Sequence, residues 1–110
     1  MTNYNQAQGE TLERIKQAVY EVFDINQDIL SVRSETTETA NKKRLIGWIL
    51  KTRLLLSNQQ ISDIFGFVNS NSARVIVETA YDRIEDGTIK VSDIKNKSIE
   101  LYSKLATFEV

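Results

Sequence analysis

Apolar residues recur with helical spacing along most of the chain. Leu12, Ile15, Val19, Val22 and Phe23 fall at i, i+3, i+7, i+10 and i+11, one face of a helix opened by Thr11. The pattern stops at Asp24, and a short second element, Asp28–Val32, carries Ile29 and Leu30. Ser34–Thr39 is polar and rich in threonine, which predicts a loop. Residues 40–56 are the most apolar stretch, with Leu45, Ile46, Trp48, Ile49, Leu50, Leu55 and Leu56 covering most of a helix circumference. Ala40, Lys43, Arg44, Gly47 and Lys51 share the remaining arc of about 100°. This predicts a helix through the middle of the domain with only its Lys43–Gly47–Lys51 edge wet.

The next stretch is the most patterned. Ser57 is a natural N-cap, since its hydroxyl can accept from a backbone N–H two or three residues on. Ile61, Ile64 and Phe65 give a short helix its buried stripe, and Gly66 can take the left-handed conformation that ends it. Asn69–Ser72 are all capping residues, and a second helix then turns Ala73, Ile76, Val77, Ala80 and Ile84 inward before Gly87 closes it. Two helices joined by a short glycine-containing turn make a helix-turn-helix, here over about residues 57–86. Ser92 can cap a last helix carrying Ile94, Leu101, Tyr102 and Leu105. The expected architecture is a compact all-α domain of five to six helices over residues 11–110, preceded by a flexible arm at 1–10.

Composition supports the helical reading and narrows the chemistry. Proline is absent and there are only four glycines, so long helices meet few breaks. The absence of Cys and His removes disulfides, Cys/His zinc sites and every Ser-His or Cys-His nucleophile arrangement. No phosphate-cradling glycine loop or nucleophile elbow is present, so no catalytic residue and no cofactor are expected. Asp24, Asn26, Asp28 and Glu35 stand at positions 1, 3, 5 and 12 of a calcium loop, but Ile29 occupies the place of the glycine that makes the sharp turn. An ordinary short helix explains Asp28–Val32 better, and no metal is expected. No segment reaches the roughly 20 apolar residues that span a bilayer, and MTNYNQAQGET lacks an apolar signal core. A soluble cytoplasmic protein with no membrane partner is expected.

Charge is unevenly spread. The formal net charge of −1 conceals a segment, residues 33–56, whose net charge is +4, from Arg33, Lys42, Lys43, Arg44, Lys51 and Arg53 against Glu35 and Glu38. Such a segment can attract a polyanion even in a mildly acidic protein. In a helix-turn-helix the second helix enters the major groove while neighbouring elements hold phosphates. Asn69, Ser70, Asn71, Ser72 and Arg74, in the first turn of that helix, can bond base edges or phosphates. Asn71, Ser72, Val75 and Thr79 face outward when the apolar stripe faces in. Glu78, Asp82 and Glu85 load the same helix with negative charge that repels phosphate.

Over about residues 12–86 the chain resembles the C-terminal DNA-binding domain of the bacterial replication initiator DnaA. The likeness rests on Ile15, Val19, Glu21 and Ile25, on Asp28–Arg33 (DILSVR, similar to the family's D-L-L-S-x-R), and on Ser57, Ile61, Phe65 and Gly66, similar to S-L-x-E-I-G-x-x-F-G. The resemblance implies a six-helix fold with a helix-turn-helix. It also implies phosphate contacts at Lys43 and Lys51 and backbone contacts at Asn58 and Gln59. After Arg33 the family's further arginines are replaced by Ser34-Glu35-Thr36-Thr37-Glu38, and its base-reading G-x-D-H-T-T by Phe67–Ser72. Two function classes follow. The first is a small DNA-binding protein, a regulator or accessory factor of replication or mobile DNA, with double-stranded DNA held by Arg33, Lys43, Arg44, Lys51, Asn58, Gln59 and Asn69–Arg74. The second is the same fold used as a protein-interaction module.

Overall fold

Five α-helices supply the regular structure of this computed structural model, which describes residues 2–26, 30 and 36–108. They are α1 (Thr2–Phe23), α2 (Thr37–Thr52), α3 (Asn58–Phe65), α4 (Ser70–Glu85) and α5 (Val91–Phe108). Helix α1 starts nine residues ahead of the expected Thr11 and so runs back through the segment expected as an arm. Nothing there can stop it, because proline is absent and the single Gly9 costs only about 1 kcal/mol relative to alanine. The far end is closed by Asp24 in the left-handed region (φ 52°) and by the Ile25 N–H donating to the Tyr20 carbonyl at 3.1 Å. That i-to-i+5 bond, with buried Ile25 just past the turn, is the Schellman way of ending a helix.

Helix α2 departs from its expected limits at both ends. It begins at Thr37 because Thr36, in extended conformation, accepts the Thr39 N–H at 3.1 Å, which turns the second half of the expected loop into a cap and first turn. It ends at Thr52, before Leu55. Leu55 instead sits at φ 57° with 81% of its surface exposed, so it leaves the expected apolar face. The Arg53 carbonyl at this end accepts the Tyr102 hydroxyl of α5 at 2.7 Å, which satisfies a backbone acceptor the helix cannot.

The core is built where α1 packs along α5, α2 along α4, and α3 against α4 and α1. Val19 and Phe23 of α1, Ile46 and Leu50 of α2, Ile61 and Phe65 of α3, and Leu101 of α5 are buried together. Leu30 joins them fully buried, its N–H donating to the Asn26 carbonyl at 3.1 Å, whereas the rest of Asp28–Val32 lies outside the described residues. Trp48 is only half-buried, its ring 6.0 Å from that of Tyr81 on α4.

The edge of α2 expected to be wet is covered at Lys43 and Gly47, while Lys51 is half-buried. Gly47 faces α4 so closely that a Cβ there would lie 2.9 Å from Ile76 Cγ2, and Lys43, one turn earlier, is only 4% exposed. A helical wheel counts glycine and lysine as polar positions, but here the missing side chain of Gly47 lets two helices approach and the lysine is buried. Burial holds the Lys43 ammonium below the usual lysine pKa. Among the described residues no helix is long and apolar enough to cross a membrane.

Candidate functional site

The α3–turn–α4 unit is assembled from local hydrogen bonds. Ser57 Oγ accepts the Gln60 N–H at 3.1 Å, and Gln60 Oε1 accepts the Ser57 N–H at 2.9 Å, a reciprocal capping box at the start of α3. Ile61, Ile64 and Phe65 are buried, as their spacing predicts. Gly66 closes α3 at φ 82°, a conformation that would strain any residue with a Cβ. Asn69 then caps α4, its Oδ1 accepting the Asn71 N–H at 3.0 Å.

Ser62 organises this turn and was not singled out from the sequence. Its carbonyl accepts the N–H groups of Gly66 and Phe67 at 2.8 and 2.9 Å, while its fully buried hydroxyl donates to the Asn69 carbonyl at 2.9 Å. One residue therefore ties the end of α3 to the cap of α4. The signal was available: at 100° per residue Ser62 lies on the margin of the Ile61–Phe65 stripe, where a small polar residue must bond inside the fold.

Helix α4 turns its expected faces in and out. Ala73 and Ala80 are buried and Ile76, Val77 and Ile84 half-buried, while Asn71, Ser72 and Val75 are exposed. Thr79 is partly covered, because Arg44 Nε reaches across from α2 and donates to its Oγ1 at 3.3 Å. Arg74 is engaged within its own helix. Its Nε and Nη2 donate to Asn71 Oδ1 at 3.1 and 2.8 Å, and its Nη1 donates to Glu78 Oε1 at 2.7 Å. Val68, in the turn, is fully exposed.

The expected DNA-contacting residues thus separate into groups. Asn69, Ser70, Asn71, Ser72 and Arg74 gather at the start of α4, with Asn71, Ser72 and Arg74 exposed. Asn58 is half-buried at the start of α3, and Gln59 is exposed and donates to Asp63 Oδ1 at 3.0 Å. Arg44 is half-buried, bonded to Thr79 and, at 2.8 Å, to Asn41 Oδ1; Lys51 is half-buried. Lys43 is buried rather than on the surface. Arg33 lies outside the described residues, as do Asp28 and Glu35 of the calcium-loop spacing.

The far half of α4 is acidic. Glu78, Asp82 and Glu85 are exposed. A hydrogen bond to Glu85, aided by its charge, raises the pKa of the Tyr81 hydroxyl. Beyond the helix end, hydrogen bonds from Thr88 hold Asp86 below the usual carboxylate value. Polar, neutral and singly basic groups therefore occupy the first turn, and negative charge follows one turn later. No family model, no curated protein and no solved structure matches this chain.

Proposed function

We propose that this chain is a small DNA-binding protein whose α3 and α4 act as a helix-turn-helix, with the first turn of α4 entering the major groove of double-stranded DNA. The observation that carries this reading is the combination of a doubly capped, hydroxyl-tied turn with an outward first turn bearing Asn71, Ser72 and Arg74. Side chains of these types bond base edges, and a rigid turn fixes their angle to the rest of the domain. Lys51, Asn58 and Gln59 are the accompanying phosphate ligands. The DnaA resemblance supports the same use of the fold, in a regulator or accessory factor of replication or mobile DNA.

Few cations serve this surface: Lys43 is buried, Arg44 and Lys51 are half-buried, and the exposed Arg74 is paired with Glu78. With two to four phosphates neutralised, raising salt from 50 to 200 mM weakens binding by roughly 10- to 150-fold at a slope of about −0.9 per phosphate. A gel-shift titration with mixed-sequence duplex at both salts tests this. Lys51→Ala should lower affinity for every sequence and reduce the slope by about one.

A second reading, a protein-interaction module, draws on a different observation. Val68 is fully exposed and Val75 44% exposed, both beside the polar first turn, while acidic side chains follow on α4. If no duplex is retarded at 50 mM salt, that reading takes the lead.

A further inference from the structure

We propose that Asn71, Arg74 and Glu78 form a single recognition unit that reads guanine in the major groove; this rests on the DNA-binding reading above. The three residues stand at i, i+3 and i+7 of α4, so they lie along one face, and the side chains of Arg74 and Glu78 are 51% and 61% exposed. The hydrogen bonds among them determine what the unit can offer a base. Arginine carries five N–H donors and no acceptor, so the Asn71 amide must turn its oxygen toward Arg74. That oxygen takes two bonds, from Nε at 3.1 Å and Nη2 at 2.8 Å.

An asparagine recognises adenine with both ends of its amide, the oxygen accepting from N6 and the nitrogen donating to N7. With its oxygen already committed, Asn71 has only its NH2 group left, and the adenine pairing is closed. The remaining N–H groups of Arg74 are donors as well. Guanine is the base whose major-groove edge presents two acceptors side by side, N7 and O6, and arginine is the side chain whose planar fork matches them. Glu78 accepts from Nη1 at 2.7 Å, which holds the guanidinium plane from its other end. Its second carboxylate oxygen is an acceptor suited to the N4 amino group of the cytosine paired with that guanine. The acidic residue that repels phosphates at long range thus becomes, at close range, part of the base reader. Asn71 is a positioning residue; Arg74 contacts the guanine and Glu78 the cytosine paired with it.

The test uses the full chain and a library of duplexes with a randomised central segment. After selection, competition binding compares duplexes carrying guanine, 7-deazaguanine or adenine at the most strongly selected position. Selection should enrich guanine, and adenine should weaken binding by about 5- to 150-fold, the range a good bidentate base contact provides. Replacing guanine by 7-deazaguanine, which lacks only the N7 acceptor, should also weaken binding. Arg74→Ala should bring the guanine-to-adenine ratio close to one while the far-ultraviolet circular dichroism is unchanged, because an exposed ion pair contributes little to folding. Selection of adenine, selection of no base at all, or an unchanged ratio in Arg74→Ala overturns the proposal and leaves DNA binding standing. Failure to bind any duplex overturns both.

Discussion

Replacing Gly47 by alanine in the middle of α2 should destabilise the protein, although helix propensity argues the reverse. In an exposed helix the change would stabilise by about 1 kcal/mol, since glycine is the poorest non-proline helix former. Here the new methyl would meet Ile76 Cγ2 at 2.9 Å, with Val77 Cγ2 at 3.8 Å and Phe65 Cζ at 4.0 Å. Ordinary carbon contacts lie at about 3.5–4.0 Å, so α2 and α4 must move apart or Ile76 must leave its rotamer. Forcing an extra methyl into a packed contact costs about 1–3 kcal/mol, which outweighs the propensity gain and leaves a net loss of about 1 kcal/mol. Gly47→Val, with two further methyls and less propensity to offset them, should lose about 2–3 kcal/mol. The internal control is Ile76→Leu, which removes the Cγ2 methyl that causes the clash. In that background Gly47→Ala should become neutral or stabilising, a coupling of about 1 kcal/mol or more between the two sites. Urea unfolding followed by circular dichroism measures all four corners of the cycle, with the slopes expected to agree. If Gly47→Ala alone raises stability by about 1 kcal/mol, the α2–α4 approach described here is wrong.

Other substitutions test separate parts of the fold. Ser62→Ala should cost about 0.5–1 kcal/mol by chemical denaturation, because the lost bond to the Asn69 carbonyl is only partly offset by the better helix propensity of alanine. Leu55→Gly should stabilise by about 0.5–1 kcal/mol, since it relieves a left-handed leucine that is 81% exposed and buries little; a loss of stability would show that Leu55 packs. For Lys43 the sign follows from burial, which depresses its folded-state pKa below the unfolded value of about 10.4. The folded protein then binds fewer protons between those two values, so this group's penalty is full at neutral pH and fades as pH rises through that window. The stability of Lys43→Met relative to wild type should fall as pH rises from 7 toward 10, with Tyr81 titrating alike in both proteins. A constant difference across that range would refute the burial.

Much of the α3–turn–α4 unit was legible in the sequence because short-range rules govern it. Ser57, Gly66 and Asn69 act where the capping rules put them, and the inward set Ala73–Ile84 follows from helical period alone. The rest depends on contacts that period cannot encode. Which arc of α2 meets α4 was misread, since Gly47 matters for the side chain it lacks and Lys43 for the stem it buries. The early start of α2 was hidden because Thr36 serves equally as a loop residue and as a cap. On α4, the spacing of Asn71, Arg74 and Glu78 was visible, but charge counting registered only repulsion. Their hydrogen bonds give the same residues a different meaning.

The most direct measurement of the central claim is an amide nuclear magnetic resonance titration of the labelled protein with a mixed-sequence DNA duplex at low salt. DNA binding through the proposed surface predicts shifts concentrated at Asn69–Arg74, with smaller ones at Asn58, Gln59 and Lys51, all diminishing as salt is raised from 50 to 200 mM. Spectra unchanged at a large excess of duplex, or shifts confined to α1 and α5, would contradict it.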